Sequence, residues 1–586
     1  MKKIFKITMR ETKKYILGIL ASSLLSSFLT IYLTKFILFV IDGVIMQKSE
    51  LPKYITNFFY DDNIYSKLII LAIFMLIIIF IISISNYIKN MFNTKFRLKM
   101  NKNLKEEILD YTTYLEYSEY ISYDKNQILQ RVSSDANNFV NFITSKYNLV
   151  VDSIFIFTFS MIEILNLNLI VSITIAVIIF IIIIMSIIYF KLTKKIVKRN
   201  IGLNENLIQK TINAVYQPKM IKIFNRQQKE IDDFNNVSDE YRKNDKKLID
   251  YLIYYELIGT GIKKFKDPII FLLGGLLIIN GKMNIGQLMI LMTYSSNLLE
   301  YADQLIYAVE GINEFLIPAK RIDNFFALKK ETVKISNANI KDISIEFKNV
   351  TIQLNKIKIL DNVSFKIEKG QTVYLVGDNG SGKSLIVRTL LGFIPYKGQI
   401  LLGNKDIKNI DNKILRNTLG VIFQEPFIFS DTVRNNIDIF SDYKQIEKIR
   451  SITNICEIDD EINQLPNGYN EIIGERGITL SGGQKQRISI ARVLLQNKNI
   501  IIFDDVLSKV DSKTKTKITN NLNEVNSDII KIYITQDLVN IPNTATVFFI
   551  DNKKIICDNQ ENLKKQNKNY SKLIDICNNI VGESYE

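Results

Sequence analysis

Through residues 1–310 the apolar positions neither alternate, as on a half-buried strand, nor recur as the stripe of a surface helix; they run on in long blocks. Leu68–Tyr87 and Leu167–Phe190 contain no charged side chain, and Tyr15–Ile41 contains only Lys35. At about 1.5 Å of rise per residue, roughly 20 helical residues cross the hydrocarbon of a bilayer, so each of these runs reads as a membrane span. Tyr147–Leu165 carries Asp152 and Glu163, Tyr251–Ile279 is interrupted by Lys263, Lys264, Lys266 and Asp267, and Ile285–Tyr307 is the last long run. The pattern predicts six helices, at 15–41, 65–88, 139–165, 167–192, 251–280 and 285–310, in a multi-pass membrane domain of residues 1–317. The connections Ile88–Lys146 and Lys191–Asp250 are long, charged and helix-prone, so the helices project past the bilayer on one side; the connections on the other side are short. A polar linker at 318–341 holds Ser336-Asn337-Ala338-Asn339, and beyond it the period changes. Ile343–Phe347, Thr372–Val376 and Ile500–Phe503 are short β-rich runs between helical segments, the pattern of an α/β domain over residues 342–586.

Charge orients this plan. Lys and Arg number 75 against 60 Asp and Glu, a net +15 that alone suggests nucleic acid. The basic residues instead crowd the ends of apolar runs: Lys2, Lys3, Lys6, Arg10, Lys13 and Lys14 before the first, and Lys191, Lys194, Lys195, Lys198 and Arg199 after the fourth. That is the positive-inside pattern, so the partner is a lipid bilayer and not nucleic acid, with the N-terminus and the α/β domain in the cytoplasm of a cell-membrane protein. The first run is not a signal peptide, because it continues past Ala21-Ser22-Ser23 to Ile41. The sequence has no His, which excludes imidazole from every acid, base and ligand role. Cys456, Cys557 and Cys577 have no paired spacing and read as reduced thiols, not a metal knuckle or disulfide framework.

The chemistry lies in the α/β domain. The apolar strand Val373–Val376 runs into Gly377-Asp378-Asn379-Gly380-Ser381-Gly382-Lys383-Ser384 and then the helical Leu385–Leu391. This is a P-loop in its required strand-to-helix setting: the glycines let backbone N–H groups wrap phosphates, Lys383 reaches the β and γ phosphates, and Ser384 holds Mg²⁺. A second apolar strand, Ile500–Phe503, ends in Asp504-Asp505, where Asp504 suits a role in positioning Mg²⁺. Between them lies Leu480-Ser481-Gly482-Gly483-Gln484, followed by a helix.

With these motifs in this order, the chain resembles an ATP-binding cassette transporter of the exporter type, a half-transporter with one membrane domain fused to one nucleotide-binding domain. The resemblance implies a multidomain membrane protein, an all-α six-helix membrane domain plus an α/β P-loop nucleotide-binding domain. It makes Leu480–Gln484 the signature motif, Gln424 in Val421-Ile422-Phe423-Gln424-Glu425-Pro426 the Q-loop glutamine and a Mg²⁺ contact, and Asp511 in Ser508-Lys509-Val510-Asp511 the D-loop aspartate. Gly474-Glu475-Arg476-Gly477 stands before the signature as in this family, Asn126–Asn137 resembles the stretch after the first coupling helix, and Asn213–Phe224 resembles the second coupling region. ATP and Mg²⁺ are the implied cofactors. Two cassettes would sandwich two ATP molecules, each held by one chain's P-loop, including Gly377, Asn379, Gly380, Ser381, Gly382, Lys383, Ser384 and Leu385, and by the other chain's Ser481, Gly482, Gly483 and Gln484.

The sequence departs from the family pattern at three positions. The glutamate that orients the attacking water is replaced by Asp505, one methylene shorter, and the switch histidine by Gln536, which donates a hydrogen bond but carries no charge. The residue against adenine is Leu354 instead of an aromatic, so the base loses π-stacking. Asp505, Gln536 and Gln424 are the candidate catalytic set, in a site expected to bind ATP and hydrolyse it slowly, while the signature is complete. That combination resembles the degenerate-site subunit of a heterodimeric exporter, with a second half-transporter as partner and a lipophilic drug, peptide or lipid-like molecule as substrate. An exporter-fold importer and a non-transporting ATP-gated regulator are the alternatives. In the fifth span, Lys263 and Asp267 stand at the i, i+4 spacing of an ion pair; alternatively the lysines line an inward cavity with Asp152 and Glu163 as counter-charges.

Overall fold

The computed structural model describes residues 1–47, 51–59, 63–123, 125–310, 312–331, 343–354, 357–440, 446–474, 477, 479–524 and 527–583. They form two compact units, residues 1–114 with 123–328, and residues 115–122 with 329–586.

The first unit is helical. Its long elements are α1 (Lys13–Leu38), continued by a π-helical turn at Phe39–Ile45, α2 (Ile64–Thr113), α3 (Ala136–Leu167), α4 (Leu169–Tyr216), α5 (Gln227–Ile279) and α6 (Ile285–Glu310). Several helices outrun the expected spans: the 50 residues of α2 are roughly 75 Å long, over twice the hydrocarbon thickness, and its charged second half lies beyond the apolar run. Among the described residues, the helices at Lys13–Ile45, Ile64–Thr113, Gln127–Leu167 and Leu169–Tyr216 are long and apolar enough to cross a membrane. Helices α5 and α6 occupy the last two expected spans; the apolar part of α5 is diluted by Lys263, Lys264 and Lys266 and continues through Pro268. Asn168 separates α3 from α4 by leaving the helical conformation and accepting from the N–H groups of Ile170 and Val171 at 2.9 and 3.3 Å, a side-chain N-cap.

Packing explains the sequence of α1. Ser22, Ser23, Ser26 and Ser27 are buried, the Ser85 hydroxyl of α2 donates to Ser22 O at 2.9 Å, and a Cβ on Gly18 would lie 2.7 Å from the Phe92 ring. Small residues let α1 and α2 approach closely, where lipid-like packing supplies the attraction. Ile31, Ile164, Val171, Ile175, Tyr294 and Leu298 form a core shared by α1, α3, α4 and α6.

Lys35, Lys89, Lys263 and Lys266 are paired with carboxylates, but Lys263 and Asp267 are not paired with each other. Lys263 binds Asp303 of α6, and Asp267 binds Lys266 at 2.5 Å, with Ser296 Oγ a further 2.8 Å partner of Lys266. Asp152 pairs with Lys89 at 2.8 Å and Glu163 with Lys35 at 2.8 Å. The expected Lys263–Asp267 pair is thus replaced, and the two α3 carboxylates do not serve as counter-charges to the α5 lysines. Asp152 and Glu163 are eleven residues apart, three helical turns, so both face the lysines of α1 and α2. Lys264 is exposed.

The second unit contains the α/β domain. Its strands are β1 (Ile345–Leu354), β2 (Ile357–Ile367), β3 (Thr372–Gly377), β4 (Tyr396–Leu402), β5 (Lys405–Asp406), β6 (Leu419–Ile422), β7 (Ile500–Asp504), β8 (Ile530–Ile534), β9 (Thr546–Asp551) and β10 (Lys554–Asn559). One sheet is antiparallel, in the order β2-β1-β4-β5. The other, β10-β9-β3-β8-β7-β6, is parallel from β9 to β6, with β10 antiparallel at the edge. Its central strands are apolar on both faces, as a parallel sheet covered on both sides demands; Ile500, Ile501, Ile502 and Phe503 are all buried.

Two boundaries differ from the expected 1–317, 318–341 and 342–586. The helix Ile312–Phe325 runs through Pro318 and belongs to the first unit, which ends at Leu328; the polar part of the expected linker, 332–341, lies outside the described residues. The short helix Tyr117–Ser122, embedded in the membrane domain by sequence, belongs to the second unit: Tyr117 stacks on Phe393 with ring centroids 4.1 Å apart, and the Glu116 N–H donates to Lys329 O at 2.9 Å. This contact joins residues far apart in sequence, which span counting does not see.

The pair Lys89–Asp152 gives a test. Lys89→Met leaves a carboxylate without its cation in an apolar setting and should destabilise the protein by about 1–3 kcal/mol, seen as a lower thermal midpoint in detergent. Adding Asp152→Asn should recover most of that loss; equal melting of the single and double variants would refute the pairing.

Candidate functional site

The C-terminal ends of the parallel strands, where ligands bind in open α/β sheets, gather the candidate residues. Strand β3 lies between β9 and β8 and is buried at Val373, Leu375 and Val376. It opens into the loop 377–382 and then α7 (Lys383–Leu390), whose first N–H groups face the loop. Gly380 and Gly382 have φ of +81° and +105°, a region L side chains rarely enter. At Gly382 a side chain is excluded twice over, since its Cβ would lie 2.8 Å from Ile359 Cγ2 of β2. Asn379 and Gly380 are exposed at the mouth, Leu385 is half-buried below, and Ser381 Oγ is buried with no hydrogen-bond partner.

Lys383 folds over this loop, its Nζ donating to Gly377 O at 2.6 Å and Asp378 O at 3.0 Å. Burial pushes its pKa below the ordinary lysine value, against the opposing pull of Asp378, Asp504 and Asp505. A cation satisfied only by neutral carbonyls, beside an orphaned serine hydroxyl and inward-facing N–H groups, suits a polyphosphate. Ser384 Oγ donates to Asp504 Oδ2 at 3.3 Å, so the hydroxyl and the β7 carboxylate converge. These are hard oxygen donors of the kind Mg²⁺ takes in addition to phosphates and water, and the residues present fit that ion. Among the described residues no cluster of three or more His, Cys, Asp or Glu side chains offers a protein-only metal site. Burial raises the Asp504 pKa, with Ser384, Arg388 and Lys383 acting against it.

Asp505 points elsewhere. Its φ is +49°, its N–H donates to Ile534 O at 2.9 Å, and its Oδ2 accepts from Gln424 Nε2 at 3.1 Å. Burial raises its pKa first and the charge of Asp504 second. Gln424 follows β6 and is exposed, and Gln536, on the loop after β8, is also exposed, with its carbonyl accepting from Cys577 Sγ at 3.5 Å. Leu354 ends β1 and is half exposed, beside residues outside the described set.

The signature segment forms a separate construction. Ser481 caps α8 (Gly482–Leu495) in a reciprocal box: Gln484 N donates to Ser481 Oγ at 3.2 Å and Ser481 N to Gln484 Oε1 at 2.9 Å. Gln484 Nε2 also donates to Glu461 at 2.8 Å. Gly482 and Gly483 are needed for close packing, since a Cβ on them would lie 3.1 Å from Lys509 Cδ and 3.0 Å from Lys509 O. Asp511 accepts from Thr514 N at 2.9 Å, and that bond leads the influences holding its carboxyl below the ordinary range. Among the described residues no hydrogen bond joins Ser481, Gly482, Gly483 or Asp511 to the P-loop. Glu475 and Arg476, of the segment before the signature, lie outside the described residues. Sequence reasoning missed Ile359, Glu461 and Gln486; the last is fully buried and accepts from Lys509 N at 3.2 Å, and only folded contacts reveal it.

Comparison with known proteins supports this assembly. Residues 15–301 match the ABC transporter transmembrane region and residues 360–508 the ABC transporter domain. The chain is 27% identical over 496 residues to a protein of Rickettsia bellii (strain RML369-C) named as an export ATP-binding/permease protein, an alignment covering 82% of this chain and 84% of that one. It is 32% identical over 280 residues to an ATM1-type heavy metal exporter of Novosphingobium aromaticivorans, covering 47% and 46%. Its fold is similar to the solved structure of a bacterial Atm1-family ABC exporter with ATP bound, with TM-score 0.80 and 20% identity over 96% of this chain and 99% of that one. The chain therefore belongs to the ABC transporter family, carrying the transmembrane region and the ATP-binding cassette in one polypeptide with the fold of an Atm1-type exporter.

Proposed function

We propose that this chain is one subunit of a heterodimeric ATP-driven exporter in the cell membrane, whose own nucleotide site binds ATP and hydrolyses it slowly while its signature segment completes the faster site of its partner. The observation that carries this reading is the commitment of Asp505: its short carboxylate is tied to Gln424 at 3.1 Å, and the neighbouring position that would steady γ-phosphate charge is the uncharged Gln536. By contrast Ser481, Gly482, Gly483 and Gln484 keep the full signature chemistry, capped and packed for presentation to another chain.

In this reading Gly377, Asn379, Gly380, Ser381, Gly382 and Leu385 shape the phosphate cradle, and Lys383 leaves its two carbonyl partners for the β and γ phosphates. Ser384, Asp504 and Gln424 hold Mg²⁺, which when bound neutralises charge on the transferring phosphate. Leu354 packs against the base without stacking. The faster site is placed in a different subunit because one homodimer would carry Asp505 and Gln536 in both of its sites. A second chain is also supported by surface left uncovered: Tyr216, Met220, Ile223 and Phe224 on the second inner connection and Phe427 and Phe440 on the cassette are all more than half exposed. Basic residues flanking the runs support a cytoplasmic N-terminus and cassette. Relatives named as exporters favour outward transport, and a lipophilic drug, peptide or lipid-like molecule suits an apolar helical domain whose internal charges are paired.

Two measurements test the reading. In the intact complex purified through a tag on this chain, native mass spectrometry should find one copy plus a different subunit, and Asp505→Glu with Gln536→His should raise total ATP turnover by adding a second working site. Two identical copies, or unchanged turnover, would overturn it. Gly382→Ala should remove one of two binding sites for a fluorescent ATP analogue, or weaken it at least about tenfold, and should lower the thermal midpoint in keeping with the about 1–3 kcal/mol that a side chain at positive φ costs. Wild-type affinity and stoichiometry would show that this P-loop is not the site.

A further inference from the structure

The loop bearing Gln536 is anchored from two directions. Asp537, the next residue, pairs with Lys515 at 2.7 Å and accepts from Asn540 Nδ2 at 2.7 Å. On the other side Gln560, wholly buried, donates Nε2 to Leu538 O at 2.8 Å, and Leu538 packs with Ile541, Phe549 and Leu563 in a small apolar core. Burial disfavours the charge on Asp537, yet the Lys515 and Asn540 hydrogen bonds outweigh it and hold the carboxyl below its ordinary pKa. The Asp537 carboxylate is therefore ionised at neutral pH.

Lys515 stands in the first turn of α9 (Ser512–Glu524), the helix that Asp511 begins. Asp511 Oδ1 accepts from Thr514 N and Asp511 O from Lys515 N, both at 2.9 Å, so Lys515 and Asp511 move together. Two residues earlier, Lys509 N donates to the buried Gln486 Oε1 of α8, and the Lys509 backbone and side chain lie against Gly483 and Gly482. Within a single chain, named bonds run from the Gln536 loop through α9 and the 508–511 turn to the helix that carries the signature. The charged link among them is Lys515–Asp537.

We propose that Lys515 and Asp537 are positioning residues whose ion pair couples placement of the Gln536 amide at this chain's nucleotide to placement of Asp511 and the signature segment at the partner's. The sequence gives the pair no motif; the Asp537 carboxylate binds Lys515 and Asn540, and the Lys515 charge also acts on Asp505. Resting on the two-site reading, the pair makes this chain's slow site a regulator: nucleotide bound at Lys383 draws in Gln536, and through Asp537 and Lys515 steadies Ser481 and Gly483 for hydrolysis next door. Both side chains are about one third exposed, and the Gln560 anchor stays in place without them, so removing the pair leaves the domain folded.

The test uses the intact complex and steady-state ATP hydrolysis. Lys515→Met and Asp537→Asn should each lower turnover at saturating ATP about three- to fivefold with KM changed less than twofold, and Lys515→Asp combined with Asp537→Lys should recover at least half of the loss. When Lys383→Ala empties this chain's own P-loop, the same single changes should have no further effect. Wild-type turnover in the single variants, no recovery in the exchanged variant, or an undiminished effect beside Lys383→Ala would overturn the proposal. Loss of all turnover from Lys383→Ala alone would instead refute the two-site reading, leaving the exchanged variant to decide whether the pair positions Gln536.

Discussion

Two adjacent carboxylates at the end of one buried strand govern the nucleotide site. A regular strand would send Asp504 and Asp505 to opposite faces. Here β7 ends at Asp504, and Asp505 turns into the left-handed region, pinned by its N–H to Ile534 O. Asp504 is thereby left facing Ser384 at the mouth of the P-loop while Asp505 turns to Gln424. Burial raises the pKa of both, and each is relieved by a different polar neighbour, so the site divides its acids into one beside the P-loop serine and one beside the glutamine after β6.

The membrane unit meets a different constraint with the same economy. Lipid offers no water to a buried charge, so a lysine held between spans is satisfied by a carboxylate from a neighbouring helix or its own. Lys35–Glu163, Lys89–Asp152 and Lys263–Asp303 join α1 to α3, α2 to α3, and α5 to α6, fixing the rotation of helices whose apolar faces are otherwise interchangeable isoleucine and leucine. The serines of α1 do the complementary work of close approach. Such pairs contribute orientation more than stability, because their attraction is spent against desolvation.

What could be read from the sequence follows the range of the interaction. Unbroken apolar runs and the 377–384 loop are local features, since hydropathy acts through consecutive residues and a P-loop is shaped by the backbone of adjacent glycines. The partner of Lys263 was not legible: Asp267 and Asp303 are both chemically suitable, and the choice depends on how α5 is rotated against α6. Nor was the allegiance of Tyr117–Ser122, decided by a ring contact to Phe393 across 276 positions. That the helices run past the bilayer was legible from the charged, helix-prone inner connections, whereas their ends were not, because hydropathy stops at the headgroups and the backbone hydrogen-bond ladder does not, as α2 continuing to Thr113 illustrates. The antiparallel strand β10 carries exposed and apolar positions without a motif, and its edge position comes from pairing with β9 alone.

The separation of Ser481–Gln484 from Gly377–Ser384 is what the proposed two-chain arrangement rests on. The capping box leaves the first turn of α8 with its N–H groups and its glycines presented outward, a surface suited to anionic oxygen. The P-loop of the same chain presents the same chemistry from a different strand end, and among the described residues nothing bridges them. Two half-sites that each favour phosphate and do not meet within the chain are complementary only when a second cassette brings its own pair. In the proposed arrangement of two different chains, Asp505 and Gln536 would weaken one composite site and spare the other, so such a chain would lose hydrolytic chemistry beside its own P-loop and still contribute to ATP turnover beside its partner's. The fold allows that division because the two half-sites are built on different helices, α7 and α8, whose N-termini are set by different strands and loops.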